Sequence, residues 1–254
     1  MKMKSFLLVA SVLVVAAGAP AQERNANRLT ANTAAVNGSG PAINTTPSPS
    51  DLARQAFTSH GGEKFRNLKS LSLFGTVEVY YGSNPSRSST SKFAMVQAGD
   101  RARTDIESAD SSYREIYDGK RPYSTVNAGS VWAPTKFGMP VLARFDQAGY
   151  TVTALADEKN ARGFRITDAE GNATDFFVDQ ATGRVMLYTF EYHTIKFVFE
   201  HKSFKDVDGV LVPTSFLRKM VLPRVDVYME FKVKDAKVNQ PIGDDVFIIP
   251  ERKS

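Results

Sequence analysis

Residues 174–213 constrain the fold most, because this stretch repeats one short unit several times. Runs of β-branched and aromatic residues, such as 184–190 and 194–200, alternate with short polar turns. The turns 179–183 and 206–209 carry the Asp and Gly residues that tight reversals require. The pattern predicts an antiparallel meander, in which each strand pairs with the one before it.

Most of the remaining chain follows the same scheme. Residues 71–81 alternate, with Val77, Val79 and Tyr81 on the apolar side, and residues 225–238 near the other end alternate in the same way. Asp118-Gly119 predicts a two-residue hairpin turn between two further strands. We count ten or eleven strands, which is about the limit before an open sheet must curl. The predicted fold is therefore mostly β with a few helices: a single, strongly curved antiparallel sheet, or unclosed β-barrel.

The first 48 residues differ from this pattern. Lys2 and Lys4 precede an apolar run, and Ala19 and Ala21 are the small residues expected before a cleavage site, so residues 1–21 are predicted to be a signal peptide. Residues 22–48 are mostly small and polar and predict a disordered linker. The apolar run is too short to span a bilayer, so no transmembrane span is expected in the mature chain. The third segment is the β domain, residues 49–254.

Two helical segments interrupt the strands. A helix is predicted to start at the beginning of the domain, where Ser48 is followed by Pro49 and, three residues after Ser48, by Asp51. The second segment, residues 132–148, breaks the β pattern and contains several large apolar side chains. It is either a packing helix that closes the core or a lid or plug over an apolar cavity.

Composition and charge exclude several classes of function. The net charge of +5 is small and scattered, so no nucleic acid partner is expected. The chain has no cysteine, which rules out disulfides, thiolate nucleophiles and cysteine metal sites. The three histidines, His60, His193 and His201, match no metal-site spacing and are interpreted as surface residues. No nucleophile elbow or phosphate loop is present, so we expect neither an enzyme nor a cofactor.

A curled sheet has a concave apolar face, and something must fill it. Methionine and aromatic side chains on such a face suit an adaptable acyl-chain site, although a solid core would use the same residues. The candidate ligand-binding residues come from the strands and from the helical insertion: Val77, Val79, Phe93, Met95, Trp132, Phe137, Leu142, Phe145, Met229 and Phe231.

Three stretches of the sequence carry a family resemblance. The first begins at Gly61-Gly62 and continues through Phe65 and Leu68 to Gly75. The second combines 177–183, Phe-Val-Asp-x-x-Thr-Gly, with 204–213, which ends in Val-Asp-Gly-Val-Leu-Val-Pro. The third is the closing stretch 238–250. Together they resemble exported LolA/LolB-like proteins, the outer-membrane lipoprotein-sorting group, over about residues 50–250. The resemblance implies an unclosed β-barrel with a helical lid that holds acyl chains in transit across the periplasm.

The sequence thus leads to a functional hypothesis with one alternative. The chain is expected to be an exported, periplasmic carrier or binding protein for lipid or lipoprotein acyl chains, held on the concave face. The alternative is a non-catalytic envelope interaction or scaffold domain with a solid core, whose partner would be an envelope protein.

Overall fold

The computed structural model describes residues 47–82, 90–108, 112–126, 128–158 and 160–251. The predicted signal peptide and all of the predicted linker except its last two residues lie outside these ranges. The described helices are α1 (Pro49–Ser59), α2 (Glu63–Arg66) and α3 (Met139–Leu142), with single 3-10 turns at Ala128–Ser130 and Asp244–Phe247.

Twelve strands are present in these ranges, where the sequence predicted ten or eleven, and all belong to one antiparallel sheet. Strands β1 to β6 are Ser70–Tyr81, Ser91–Ala98, Arg101–Glu107, Ser112–Tyr117, Pro122–Ser124 and Thr151–Ala154. Strands β7 to β12 are Ala161–Thr167, Ala173–Asp179, Val185–Tyr192, Ile195–Val207, Val210–Val221 and Val227–Val238.

The order of the strands explains the position of the helical insertion. The sheet runs β5-β4-β3-β2-β1-β12-β11-β10-β9-β8-β7-β6, so its two edges are consecutive strands of the chain. Residues 125–150, called the connector below, must therefore pass from one edge of the sheet to the other. Phe137, Val141 and Phe145 of the connector are buried in the hydrophobic core with the strand residues. The predicted fold, a mostly β unclosed barrel with a few helices, is confirmed.

The concave face carries rows of apolar residues, because directly paired positions of neighbouring antiparallel strands project to the same side. One row crosses β7 to β12 through residues that pair directly with each other: Phe164, Phe176, Tyr188, Phe199, Arg218 and Met229. A second row crosses β1 to β4 and becomes more polar toward the edge: Leu73, Met95, Thr104 and Glu115. These two rows of the concave face are therefore mainly apolar, with one charged position in each, Arg218 and Glu115.

The N-terminal helix covers one side of this sheet. Ser48 Oγ accepts a hydrogen bond from the Asp51 backbone N–H at 3.1 Å, and the Asp51 carboxylate accepts one from the Ser48 N–H, which completes a capping box. Leu52, Ala56 and Phe57 of α1 are buried, and the helix packs against β6, β7 and α3. The helix start predicted at Ser48 is confirmed.

Two local expectations are wrong. Tyr81 was expected on the buried face of β1, but it is 61% exposed. Its neighbour Tyr80 is buried instead, where it stacks on Tyr228 at 5.1 Å and donates a hydrogen bond to Glu230. The two-residue turn expected at Asp118-Gly119 is a four-residue loop, 118–121, in which the Asp118 carboxylate accepts backbone N–H bonds. These hydrogen bonds to the Asp118 carboxylate stabilise the chain reversal between β4 and β5.

Candidate ligand-binding cavity

A cavity of about 270 Å³ lies on the concave face, between the sheet, α2 and the connector. Side chains from both halves of the sheet and from the connector line it, and most of them are apolar. They include Leu73, Met95, Val212, Phe216, Trp132 and Phe137. The fold therefore leaves unfilled space on the concave face, lined mainly by apolar atoms.

The candidate residues from the sequence divide into two groups. Met95, Trp132 and Phe137 line the cavity. The other candidates do not line it and belong to the packed core or lie against it: Val77, Val79, Phe93, Leu142, Phe145, Met229 and Phe231. Most of the predicted positions thus belong to the packed core or lie against it and do not face the cavity.

The connector has both of the roles considered for it. Val141 and Leu142 of α3, with exposed fractions of 1% and 0%, pack into the core. Trp132 and Phe137, earlier in the connector, reach the cavity wall. The two alternatives, a packing helix and a cover over a cavity, therefore apply to different parts of the same segment.

Aromatic contacts hold the cavity-lining part of the connector against the sheet. The Trp132 ring lies 4.7 Å from Phe197 and 4.9 Å from Phe190 between ring centroids, and Phe137 stacks on Phe190 at 4.5 Å. Gly138 follows with φ +72°, and a Cβ there would come within 2.9 Å of the Tyr188 ring. Glycine at this position lets the connector turn close to the sheet.

A buried ion pair closes the polar end of the cavity. Arg218 Nη1 donates to Glu115 Oε2 at 3.0 Å, and Ser130 Oγ donates to Glu115 Oε1 at 3.0 Å. Arg218 and Glu115 have exposed fractions of 4% and 7%, and both line the cavity. Four strands separate β4 from β11 in the sheet, so the pair joins opposite walls of the half-barrel across its interior.

The pair favours the charged form of the arginine. Burial opposes the charge of Arg218, but the Glu115 carboxylate and the nearby Tyr113 and Tyr188 side chains together outweigh burial, and the pKa of Arg218 is raised above its ordinary value. The sequence analysis missed this pair. The sequence signal was a charged residue at a position where alternation predicts an apolar one. Arg218 lies on the same face of β11 as Phe216 and Met220, and all three side chains are buried.

Two of the histidines are not surface residues, which corrects the interpretation from sequence. His60 and His201 have exposed fractions of 1% and 4%, while His193 is exposed. Burial lowers the pKa of each buried histidine to about 4, so both are neutral near pH 7. His201 lines the cavity and so adds a polar but uncharged group. Within the described residues, no group of three or more His, Cys, Asp or Glu side chains could hold a metal ion.

Comparison with known proteins identifies the fold. No family model matches the sequence, and no similar curated protein was found. A LolA superfamily protein from Nitrosomonas europaea has a solved structure with a TM-score of 0.50 and 12% identity, covering 80% of this chain and 99% of that one. A DUF1329 family protein from Desulfovibrio piger has a TM-score of 0.44 and 9% identity, covering 80% and 98%. The chain shares the fold of the LolA superfamily protein, as the sequence resemblance predicted.

Proposed function

We propose that this chain is an exported, non-catalytic carrier or binding protein that holds a lipid or lipoprotein acyl chain in the cavity on its concave face. The observation that carries the proposal is the apolar cavity of about 270 Å³ between the connector and the sheet. Its volume is just below the usual range of ligand pockets, about 300–1,000 Å³. A ligand that fills it would be small or would insert only part of its length.

The chemistry of the wall favours an acyl chain over a polar ligand. Leu73, Val212 and Phe216 offer aliphatic and aromatic surface, and Met95 adds a flexible thioether that adapts to different chain shapes. Each methylene that leaves water for such a wall contributes about 0.8 kcal/mol. The fold shared with a LolA superfamily protein is consistent with this proposal.

Export is the second part of the proposal. It rests on residues 1–21, whose basic start, apolar run and Ala19-Pro20-Ala21 end have the order of a signal peptide. No helix in the described ranges is long and apolar enough to cross a membrane. We expect the full chain to be processed and recovered from the periplasm, and a chain lacking residues 1–21 to remain in the cytoplasm. Recovery of the unprocessed full chain from the cytoplasm would contradict export.

One observation favours the alternative, an envelope interaction or scaffold domain. Most of the predicted ligand residues, including Phe93, Phe145 and Phe231, are packed in the core, so much of the concave face is solid. In that case the cavity would be a packing defect, and function would lie on the outer surface, with an envelope protein as the partner.

Native mass spectrometry of the chain from Gln22 onward, purified from the periplasm without detergent, tests the carrier proposal. We expect a bound lipid mass that mild organic extraction removes. Met95→Trp should reduce the bound fraction, because the larger side chain projects into the cavity. Lys92→Trp, on the same strand with an exposed side chain, is the matched control and should leave the bound fraction unchanged.

The results separate the two functions. A wild-type protein that carries no lipid and binds no added acyl-chain probe after extraction would contradict the carrier proposal and favour the scaffold function. Equal lipid binding by the Met95→Trp and wild-type proteins would place the ligand outside this cavity.

A further inference from the structure

The polar end of the cavity has a specific charge balance. Arg218 and Glu115 form a buried pair of opposite charges, with side-chain exposed fractions of 5% and 9%. Arg103, another lining residue, shares the Asp105 carboxylate with Arg114, so that cluster has a net positive charge, and His201 is neutral near pH 7. The Glu115–Arg218 pair itself contributes no net charge to the end of the cavity that it lines.

The same end still offers hydrogen bonds. Arg218 Nε is buried and has no hydrogen-bond partner among the described residues, although Nη1 and Nη2 of the same side chain contact Glu115. Tyr188 also lines the cavity, and burial raises its pKa, so its hydroxyl stays protonated and can donate. A ligand oxygen at this end can accept from the Tyr188 hydroxyl, whereas Arg218 Nε is enclosed by protein atoms and has essentially no surface open to the cavity.

These two properties distinguish between classes of acyl ligand. A carboxylate placed beside the pair meets an Arg218 that Glu115 already neutralises and lies next to the negative charge of Glu115, so burying it there is costly. An ester or amide carbonyl accepts hydrogen bonds without adding charge. The site is thus matched to an uncharged acceptor.

We propose that the Glu115–Arg218 pair is the specificity determinant of the cavity: it admits the ester or amide group of an acylated molecule and disfavours the free carboxylate of a fatty acid. The inference rests on the proposed acyl-binding function and names the chemical class that the site takes. Glu115 is the discriminating residue, because its charge is what prevents Arg218 from pairing with a ligand carboxylate.

The test compares two ligands with the same chain, dodecanoic acid and methyl dodecanoate. Each displaces a fluorescent acyl-chain probe from delipidated protein near neutral pH. We expect wild type to prefer the ester by about tenfold or more. In Glu115→Gln, Arg218 is left without its carboxylate partner, so the preference should shift by about tenfold or more toward the acid.

Two further variants support the interpretation. Thr104 pairs directly with Glu115 across β3 and β4 and lines the cavity, so Thr104→Lys adds a positive charge there without removing the ion pair. It should also shift the preference toward the acid, and it provides the test if Glu115→Gln does not fold. Asp175→Asn is the matched control, since it removes a carboxylate from the Arg165–Asp175 pair outside the cavity. It should keep the wild-type preference.

The outcomes separate this inference from the function on which it rests. If wild type binds neither ligand, the acyl-binding function itself fails. If wild type binds both ligands equally, or if a folded Glu115→Gln or Thr104→Lys protein keeps the wild-type ratio, only the specificity inference is overturned. Circular dichroism and thermal unfolding establish which variants are folded.

Discussion

His60 and His201 each bind one of the two backbone polar groups of a single residue, Val185. The Val185 N–H donates to His60 Nε2 at 3.1 Å, and His201 Nδ1 donates to the Val185 carbonyl oxygen at 2.9 Å. His60 must be neutral with its proton on Nδ1, because its Nε2 accepts the Val185 N–H, whereas His201 must carry a proton on Nδ1, because that atom donates to the carbonyl oxygen. This arrangement links the end of α1 to strands β9 and β10.

Acid should destabilise the protein through these two residues. Burial lowers the pKa of each from 6.5 to about 4, so the unfolded chain binds more protons than the folded one between these values. The free energy of unfolding should therefore fall as the pH drops below about 6.5, and the fall should level off below about 4. Each histidine contributes on the order of 3 kcal/mol over the full window.

Urea unfolding at about pH 7.5 and about pH 5 measures the effect. The double variant His60→Gln, His201→Asn removes the titrating rings while it places an acceptor and a donor near the same atoms. We expect it to lose most of the pH dependence in this range. If the free energy of unfolding of the double variant falls with pH as steeply as that of wild type, groups other than these two histidines cause the acid sensitivity.

Removing one partner of the Glu115–Arg218 pair should lower the free energy of unfolding more than replacing both partners. Arg218→Met leaves the Glu115 carboxylate buried without its cation, and we expect a loss of about 3–5 kcal/mol of unfolding free energy. The double variant Glu115→Gln, Arg218→Met should recover much of that loss. A double-mutant cycle by denaturant unfolding gives the coupling, and additive losses would contradict a direct interaction.

The start of α1 should depend on the Ser48 hydroxyl. Ser48→Ala removes the acceptor for the Asp51 N–H, and we expect a loss of about 1 kcal/mol of unfolding free energy. Ser50→Ala, at an exposed position inside the helix, is the control and should be neutral or slightly stabilising. Equal effects of the two substitutions, measured by thermal unfolding, would argue against the cap.

Gly75 should tolerate no side chain. It lies at the irregular register between β1 and β12, where an added Cβ would be 2.0 Å from the Lys232 carbonyl oxygen and 2.9 Å from the Phe93 ring. Because the first contact is with backbone, relief requires the strands to separate, and Gly75→Ala should cost more than about 3 kcal/mol of unfolding free energy.

Gly82→Ala is the comparison for Gly75. Gly82 has φ +82° and open space around it, so alanine there meets only the backbone strain of about 1–2 kcal/mol. If the two alanine variants lose the same stability in urea unfolding, the close approach at Gly75 is not the cause.

The sequence by itself determined the features that a few neighbouring residues encode. The cap at Ser48 needs only Asp51 nearby. The turn at 206–209 needs only the Asp206 carboxylate, which accepts the N–H of Gly209, and the positive φ of that glycine. The strands follow from period-two alternation in the same way. A mostly β, curled sheet could therefore be predicted, because each of these choices is local.

Only the tertiary structure decided what the concave face does. The pairing of β1 with β12 joins the two halves of the sheet, and the connector must then cross between the edges. Alternation along β2 predicts that Met95 and Phe93 lie on one face. It does not predict that Met95 lines a cavity while the Phe93 ring packs against Phe231 at 5.0 Å. Nor can it pair Glu115 with Arg218, which are 103 residues apart. Cavities and buried ion pairs result from how distant surfaces fit together, and that fit is set by packing over the whole domain.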